Sequence, residues 1–338
     1  MKIYEERRLK LTENLSGDIA VIIPGSVLAN RSNDTAYPFR QDSNFYYLSG
    51  FNEPDSTLMI INKSGKTNSI GFVPKKDKLK EIWDGFRHGP EGMKSDFGFN
   101  DAFNNDEIDE LLPDLLDGVS CVYYPFGKVE GFDQKVIKWT KKANSKDRHS
   151  KKMEIADISK IIGNKRLIKD SSEINIIEKA CKISANAHLQ AMKFVKPGMN
   201  EAEVEAFYLY EFAKNGGRFP AYNPIVASGE NACVLHYVEN NQVINDGDLL
   251  LVDAGCEYEM YASDITRTFP ANGKFSDEQL QIYNIVLEAQ KASVDAVSKG
   301  NGVMDPQTIS EKVITEGLID LSLIHISEPS RHNASSYA

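Results

Sequence analysis

The chain has 338 residues, of which 41% are hydrophobic and 26% charged, which suits a globular protein with two domains of ordinary size. Its net charge of −10 argues against nucleic acids and anionic membranes as partners, and no run of about 18 apolar residues is present to span a bilayer. Four cysteines without CxxC spacing and a charged N-terminus without an apolar signal region predict a cytoplasmic protein with reduced thiols.

The first 165 residues predict an α/β layer domain, because strand-like apolar runs alternate with helix-like segments. The strand-like runs are DIAVIIPG (Asp18–Gly25), STLMIINKSG (Ser56–Gly65) and VSCVYYPFG (Val119–Gly127). The helix-like segments are Glu5–Asn14, Asp106–Leu116 and Asp133–Ala143. We expect this domain to end after residue 165.

The chain from residue 166 to residue 320 predicts an α+β domain with well-marked helix starts. Each start has a residue suited to the N-cap, followed three positions later by Glu or Gln, as in a capping box. These pairs are Asp170 with Glu173, Asn200 with Glu203, and Ser276 with Gln279. A fourth helix is expected at Asp305-Pro306, since proline suits the first helical position. The expected order is two helices, strands over Phe219–Phe269, and two further helices.

Two acidic residues mark the end of the strand region. Asp253 ends the apolar run LLLVDAG, Asp264 lies in YASDITRTF, and the polar segment CEYE connects the two runs. An ionised carboxylate at the end of a buried strand costs several kcal/mol unless it is paired. We therefore predict that both carboxylates face one cavity from adjacent antiparallel strands and bind a divalent ion such as Mn²⁺. From the spacing alone, a turn-capping Asp and a surface Asp are the alternative.

A turn is also expected immediately before this region. Asp246-Gly247 precedes the run that starts at Leu249, and Asp-Gly is a strong hairpin signal. The strand that ends at Asp253 is therefore expected to follow a hairpin turn.

The motifs of the second half resemble one family of metallopeptidases. An HYxxN motif (His236, Tyr237 and Asn240) precedes the VDAG and SDITRTF runs, within the continuous block Phe219–Ser276. This block resembles the pita-bread metallopeptidases and, among them, the Xaa-Pro aminopeptidases. Tyr37–Asp55 and Glu81–Pro90 resemble the family's N-terminal domain, so the resemblance covers residues 1 to 320. It implies an α/β N-terminal domain followed by an α+β pita-bread domain.

The resemblance also implies a hydrolase with two divalent metal ions, for which Mn²⁺ is expected. The family's ligands are two Asp, one His and two Glu, and Asp253 and Asp264 match the two Asp. His236 matches a catalytic histidine on the substrate side, which we expect to face the same cavity; a core histidine in a strand VLHYVE is the alternative. Trp83 matches a tryptophan that reaches a neighbouring subunit's active site, which implies a homo-oligomer; a half-buried packing tryptophan is the alternative.

The last segment, Leu321–Ala338, departs from the family pattern. Leu321–Arg331 resembles the in-frame translation of a sequencing-library adapter, with Ser330 where Thr would be expected. We expect residues 321–338 to be a non-native tail with few buried contacts, with a natural variable tail as the alternative. The only histidines after Asp264 lie in this segment, so the pita-bread domain is expected to be incomplete and the chain inactive.

Two functional classes remain open from the sequence. The first is an aminopeptidase that hydrolyses the bond between an N-terminal residue and a following proline in peptides. Prolidase, a dipeptidase of the same fold, is its close competitor. The second class is a non-catalytic pita-bread module that binds peptides or proteins, and the retention of both Asp253 and Asp264 argues against it.

Overall fold

The computed structural model describes residues 2–145 and 152–324. The chain divides into two compact units, residues 1–172 and residues 173–338. The boundary expected after residue 165 falls inside the helix Ser159–Leu167, which belongs to the first unit. Residues 325–338, most of the segment expected to be a non-native tail, lie outside the described part of the chain.

The first unit is built on a mixed β-sheet. Its strands are β1 (Ile19–Pro24), β2 (Asn30–Ser32), β3 (Thr35–Ala36), β4 (Thr57–Lys63), β5 (Lys66–Val73), β6 (Asp101–Asn104), β7 (Cys121–Tyr124) and β8 (Glu154–Asp157). β2 and β3 form a separate ribbon, and the other six pair in the order β6-β5-β4-β1-β7-β8. β4 is antiparallel to β1 and β5, whereas β7 is parallel to β1 and β8.

Helices lie on both faces of this sheet, so β1 is buried on both sides. The helices of this unit are α1 (Lys2–Thr12), α2 (Ser43–Ser49), α3 (Lys78–Asp84), α4 (Gly89–Phe97), α5 (Ile108–Leu115), α6 (Phe132–Asn144) and α7 (Ser159–Leu167), and all of them except α3 bury residues. Ile19, Val21 and Ile23 of β1 belong to one core cluster, while Ala20 and Ile22 belong to the other. An unbroken apolar run is typical of a strand covered on both faces, which confirms the predicted α/β domain.

The second unit combines four described helices with two small antiparallel sheets. The helices are α8 (Ser171–Phe194), α9 (Glu201–Lys214), α10 (Asp277–Asp295) and α11 (Asp305–Asp320). The strands are β9 (Phe219–Pro220), β10 (Ile225–Ser228), β11 (Leu249–Asp253), β12 (Cys256–Tyr258), β13 (Tyr261–Ala262) and β14 (Thr266–Pro270). One sheet has the order β10-β11-β14 and the other β13-β12-β9. The predicted order of two helices, strands and two helices is confirmed.

The capping pairs at the starts of α9 and α10 form as expected. Asn200 with Glu203 caps α9, and Ser276 with Gln279 caps α10, each with both reciprocal hydrogen bonds of a capping box. At the start of α8, Glu173 is buried and accepts a hydrogen bond from the Tyr261 hydroxyl at 2.7 Å, while its capping pair with Asp170 stays a prediction. This acidic side chain therefore connects α8 to the β12–β13 region.

The turns differ from the sequence expectation. Gly247 does adopt a left-handed φ of 87° before β11, but β10, the strand paired with β11, ends at Ser228, so this turn closes no hairpin. The hairpin lies between β12 and β13, where Glu259 and Met260 both have positive φ. Two residues with positive φ are typical of a type I′ turn, which usually contains Asn or Gly, so Glu-Met gave no signal.

Within residues 2–145 and 152–324, no helix combines the length and the apolar character needed to cross a bilayer.

Candidate metal centre

Asp253 and Asp264 lie close together in the second unit. Asp253 is the last residue of β11, as expected. Asp264 was expected on the neighbouring antiparallel strand, but it lies in the connection two positions before that strand, β14. The Tyr222 hydroxyl lies 2.5 Å from Oδ1 of Asp253 and 3.1 Å from Oδ1 of Asp264, as a donor to both. Because both contacts share the hydroxyl oxygen, these two carboxylate oxygens are at most about 5.6 Å apart. Asp264 is exposed, as in the surface alternative, but it shares the Tyr222 hydroxyl with Asp253.

A glycine permits this approach. A Cβ atom on Gly255 would lie 1.9 Å from the carbonyl oxygen of Ser263, far inside van der Waals contact. Nearby, the Ala254 N–H donates to the Ile265 carbonyl at 3.1 Å. The chain segments that follow Asp253 and flank Asp264 are thus in direct backbone contact, and only glycine fits between them.

Helix α8 contacts both of these segments through two residues one turn apart. The Ser184 hydroxyl lies 2.7 Å from the Ser263 hydroxyl, and Nε2 of His188 lies 3.2 Å from the Ala254 carbonyl oxygen. Because a carbonyl oxygen only accepts, Nε2 carries the proton, and Nδ1 accepts from the Tyr208 hydroxyl at 2.9 Å. Burial lowers the pKa of His188, so the imidazole is neutral in this network.

The chemistry of the pair fits part of a divalent metal site. Burial first, and then the hydrogen bond to Asp253, raise the pKa of Tyr222, so its hydroxyl keeps the proton that it donates. Two carboxylates that share one neutral donor form an oxygen-rich pair able to ligate a hard cation. In the described residues, however, no group of three or more His, Cys, Asp or Glu side chains converges on one point. The two acids therefore account for only some of the ligands that a metal ion needs.

His236 lies in an exposed turn between β10 and β11, after the 3₁₀ segment Gly229–Cys233. The alternative of a core histidine in a strand is therefore wrong. Tyr237 and Asn240 of the same motif are buried: the Tyr237 hydroxyl donates to Glu201 at 2.8 Å, and Asn240 accepts from a backbone N–H of β10. In the described structure the His236 ring has no hydrogen-bond partner, and its orientation toward the two acids stays a prediction.

Sequence reasoning missed three side chains of this site. Tyr222 lies inside the block that carried the family resemblance but was not singled out. Ser184 and His188 lie among apolar residues of α8, and a polar pair at i and i+4 on a buried helix face was the available signal. Such a pair needs partners, and here the partners lie 79 and 66 residues away in the chain.

Comparisons with known proteins give a consistent result. Residues 175–334 match the model of metallopeptidase family M24, and residues 4–123 match the aminopeptidase P N-terminal domain. The chain is 38% identical to the Xaa-Pro aminopeptidase of Haemophilus influenzae over 321 residues, which are 95% of this chain and 73% of that protein. It is 37% identical to the Escherichia coli Xaa-Pro aminopeptidase, with 95% and 74% covered.

Solved structures agree with these matches. The Pseudomonas aeruginosa aminopeptidase PepP superposes with a TM-score of 0.92 at 39% identity, covering 96% of this chain and 74% of that one. Zn-substituted E. coli aminopeptidase P in complex with product gives 0.93 at 36% identity, covering 96% and 75%. The M24 match extends beyond residue 320 into the segment expected to be non-native, and that expectation stays a prediction.

Proposed function

The chain belongs to metallopeptidase family M24 and, within it, to the Xaa-Pro aminopeptidases, and from this membership we propose that its reaction is hydrolysis of the bond between an N-terminal residue and a following proline. The observation that carries the proposal is the Tyr222 hydroxyl shared between Asp253 and Asp264. It joins two acidic residues that can ligate a metal, in a chain of a metallopeptidase family. Peptides with proline in second position are the expected substrates.

The side chains have separate roles in this proposal. Asp253 and Asp264 would hold two divalent ions, with Mn²⁺ as the expected metal. When bound, such ions lower the pKa of a water molecule and polarise the scissile carbonyl. Tyr222 would keep both carboxylates in place by its hydrogen bonds. His236 would donate a hydrogen bond to the scissile carbonyl oxygen and stabilise the negative charge that develops there.

We expect the 338-residue chain to be a poor catalyst by itself. The described residues bring two carboxylates together, whereas the family resemblance implies a His and two Glu ligands in addition. Two carboxylates alone would hold two divalent ions weakly, so little of the water needed for attack would be activated at neutral pH.

The test measures release of the first residue from an Xaa-Pro-Xaa peptide with added Mn²⁺, with the H. influenzae relative as the positive control. We expect turnover by this chain to be about 100-fold or more below that of the relative. A chimera that continues residues 1–320 with the remaining part of the relative should recover the activity.

An Xaa-Ala-Xaa peptide and an Xaa-Pro dipeptide serve as controls, because preference for the dipeptide would favour prolidase. A folded chimera that does not distinguish proline from alanine would contradict the proposal, and comparable turnover by the unextended chain would contradict its expected inactivity.

We also propose that the active form is a homo-oligomer. Trp83 of α3 is 88% exposed, so the half-buried packing alternative is wrong. Leu79 and Ile82 of the same helix are each 75% exposed, and α3 buries none of its residues. A continuous apolar patch of this kind is typical of an interaction surface. Light scattering after size-exclusion chromatography should detect an oligomer that Trp83→Ala weakens, and a monomer at micromolar concentration would contradict this part of the proposal.

A cytoplasmic location completes the proposal. The four cysteines, Cys121, Cys181, Cys233 and Cys256, all carry free thiols. Free thiols are typical of proteins in a reducing compartment. Cell fractionation followed by immunodetection would test the location, and recovery from an oxidising compartment would contradict it.

A further inference from the structure

We propose that Glu201 is a positioning residue for His236, because its buried carboxylate fastens both ends of the segment that carries this histidine. The segment consists of residues 229–243, between β10 and β11, and is called the His236 segment below. The inference rests on the role proposed for His236, and it concerns a residue that the metal centre itself does not use.

Glu201 collects hydrogen bonds from both ends of the His236 segment. It is the first residue of α9 and is 0% exposed. Its Oε1 accepts from the N–H and the hydroxyl of Ser228 at 2.8 and 2.7 Å, and from the Asn231 side-chain amide at 3.1 Å. Its Oε2 accepts from the Tyr237 hydroxyl at 2.8 Å and from the Gln242 N–H at 3.0 Å. One oxygen thus holds the start of the segment and the other holds its second half.

The carboxylate is ionised in this environment. Burial opposes ionisation, but hydrogen bonds from Gln242, Ser228 and Tyr237 outweigh it and lower the pKa of Glu201. Hydrogen-bond donors and the N-terminus of α9 stabilise the charge on Glu201. A neutral amide in its place would accept fewer of these bonds and would add donors that have no acceptor.

The anchored residues surround an exposed stretch. Val234, Leu235, His236 and Val238 are all exposed, whereas Tyr237 is buried. Tyr237 is the direct neighbour of His236, and its hydroxyl bond to Glu201 fixes the backbone at that point. Asn240, buried with a φ of 45°, adds a second attachment to β10. The Tyr and Asn of the HYxxN motif therefore serve to hold the His, and Glu201 is the acceptor for the Tyr.

The test compares Glu201→Gln with two variants of the same helix in the full 338-residue chain. Glu203→Gln keeps a residue suited to its capping-box position, and Val204→Ala weakens a core cluster that contains no residue of the His236 segment. Hydrogen–deuterium exchange is followed across residues 234–243 and, as reference, across β11. The ¹³Cε1 NMR signal of His236, assigned with His236→Gln, reports on the ring itself.

We expect Glu201→Gln to speed exchange across residues 234–243 by about tenfold or more relative to β11, because a charged acceptor of five bonds is lost. The His236 signal should shift or broaden. Glu203→Gln should change neither readout. Val204→Ala should lower the midpoint of thermal unfolding and leave the exchange ratio and the His236 signal unchanged, which separates positioning from general stability.

The positioning role is overturned if Glu201→Gln leaves the segment and the His236 signal as in the wild type, or if Val204→Ala reproduces its effects. Should Glu201→Gln not fold, Tyr237→Phe removes a single donor and should still loosen residues 234–243. Neither readout involves peptide hydrolysis. A failure of the proposed function would instead appear as an unchanged rate for His236→Ala in the active chimera.

Discussion

At the scale of single residues, Gly255 sets a steric limit on the backbone near the two acids. Its position against the Ser263 carbonyl leaves no space for a methyl group. We expect Gly255→Ala to lower the free energy of unfolding by about 2–3 kcal/mol, because the backbone segments must separate. Urea denaturation measures the change.

A second glycine supplies the control for this substitution. Gly163 lies in α7, and a methyl group added there would meet no atom within 4 Å, so Gly163→Ala should be neutral or stabilise by about 0.5–1 kcal/mol. Equal effects of the two substitutions would show that the close approach at Gly255 is not a constraint.

Tyr222 offers a test of the metal centre at the same scale. Tyr222→Phe keeps the ring but removes the hydroxyl that both carboxylates share. Loss of such an outer partner typically lowers metal affinity by about 10–100-fold, and we expect at least about tenfold weaker Mn²⁺ binding. Mn²⁺ electron paramagnetic resonance on the purified chain measures it, with the exposed Tyr210→Phe as the matched control. Unchanged binding would show that the hydroxyl does not organise the ligands.

At the scale of elements, α8 acts on the two acid-bearing segments together. Ser184 contacts Ser263 and also accepts from the Cys256 N–H at 2.9 Å, all in buried surroundings. Ser184→Ala would leave buried polar groups with fewer partners, at a cost of about 1–3 kcal/mol in the free energy of unfolding. Thermal unfolding of the variant checks this, and a loss below about 0.5 kcal/mol would mean that Ser263 satisfies these groups alone.

Local sequence signals predicted the elements themselves well. The capping boxes of α9 and α10 form because both partners lie three residues apart, so their hydrogen bonds depend on local geometry alone. The β12–β13 hairpin was missed because Glu259 and Met260 adopt positive φ without the usual turn residues. β12 of this hairpin also pairs with β9, with Cys256 opposite Pro220, and local sequence does not specify such a tertiary contact.

For the molecule as a whole, acid stability should depend on Glu201. Its folded-state pKa is depressed, so its contribution to stability is present above the ordinary Glu pKa of about 4.3 and is lost as pH falls through the lower folded-state pKa. The melting temperature should therefore fall on acidification below about pH 4.3, and less steeply in Glu201→Gln. Other carboxyl groups with depressed pKa, such as Asp157, add to the wild-type slope and remain in the variant. Parallel pH profiles of the two proteins would contradict the expectation.

The sequence by itself determined the α/β and α+β units, the order of elements, the two acids and the family. Apolar periodicity and capping depend on neighbours in the chain, so they can be read without coordinates. Asp253 and Asp264 could also be predicted from the sequence, because a carboxylate at the end of a buried strand needs a partner wherever the strand lies.

Only the tertiary structure decided how the site is held. Tyr222 meets Asp253 across 31 residues, Glu201 meets Tyr237 across 36, and Ser184 meets Ser263 across 79. Nothing in a local stretch specifies such partners, because each bond forms only after helices and sheets have packed and placed two distant side chains within hydrogen-bonding distance. The same packing left His236 exposed in a turn where the sequence allowed a buried strand.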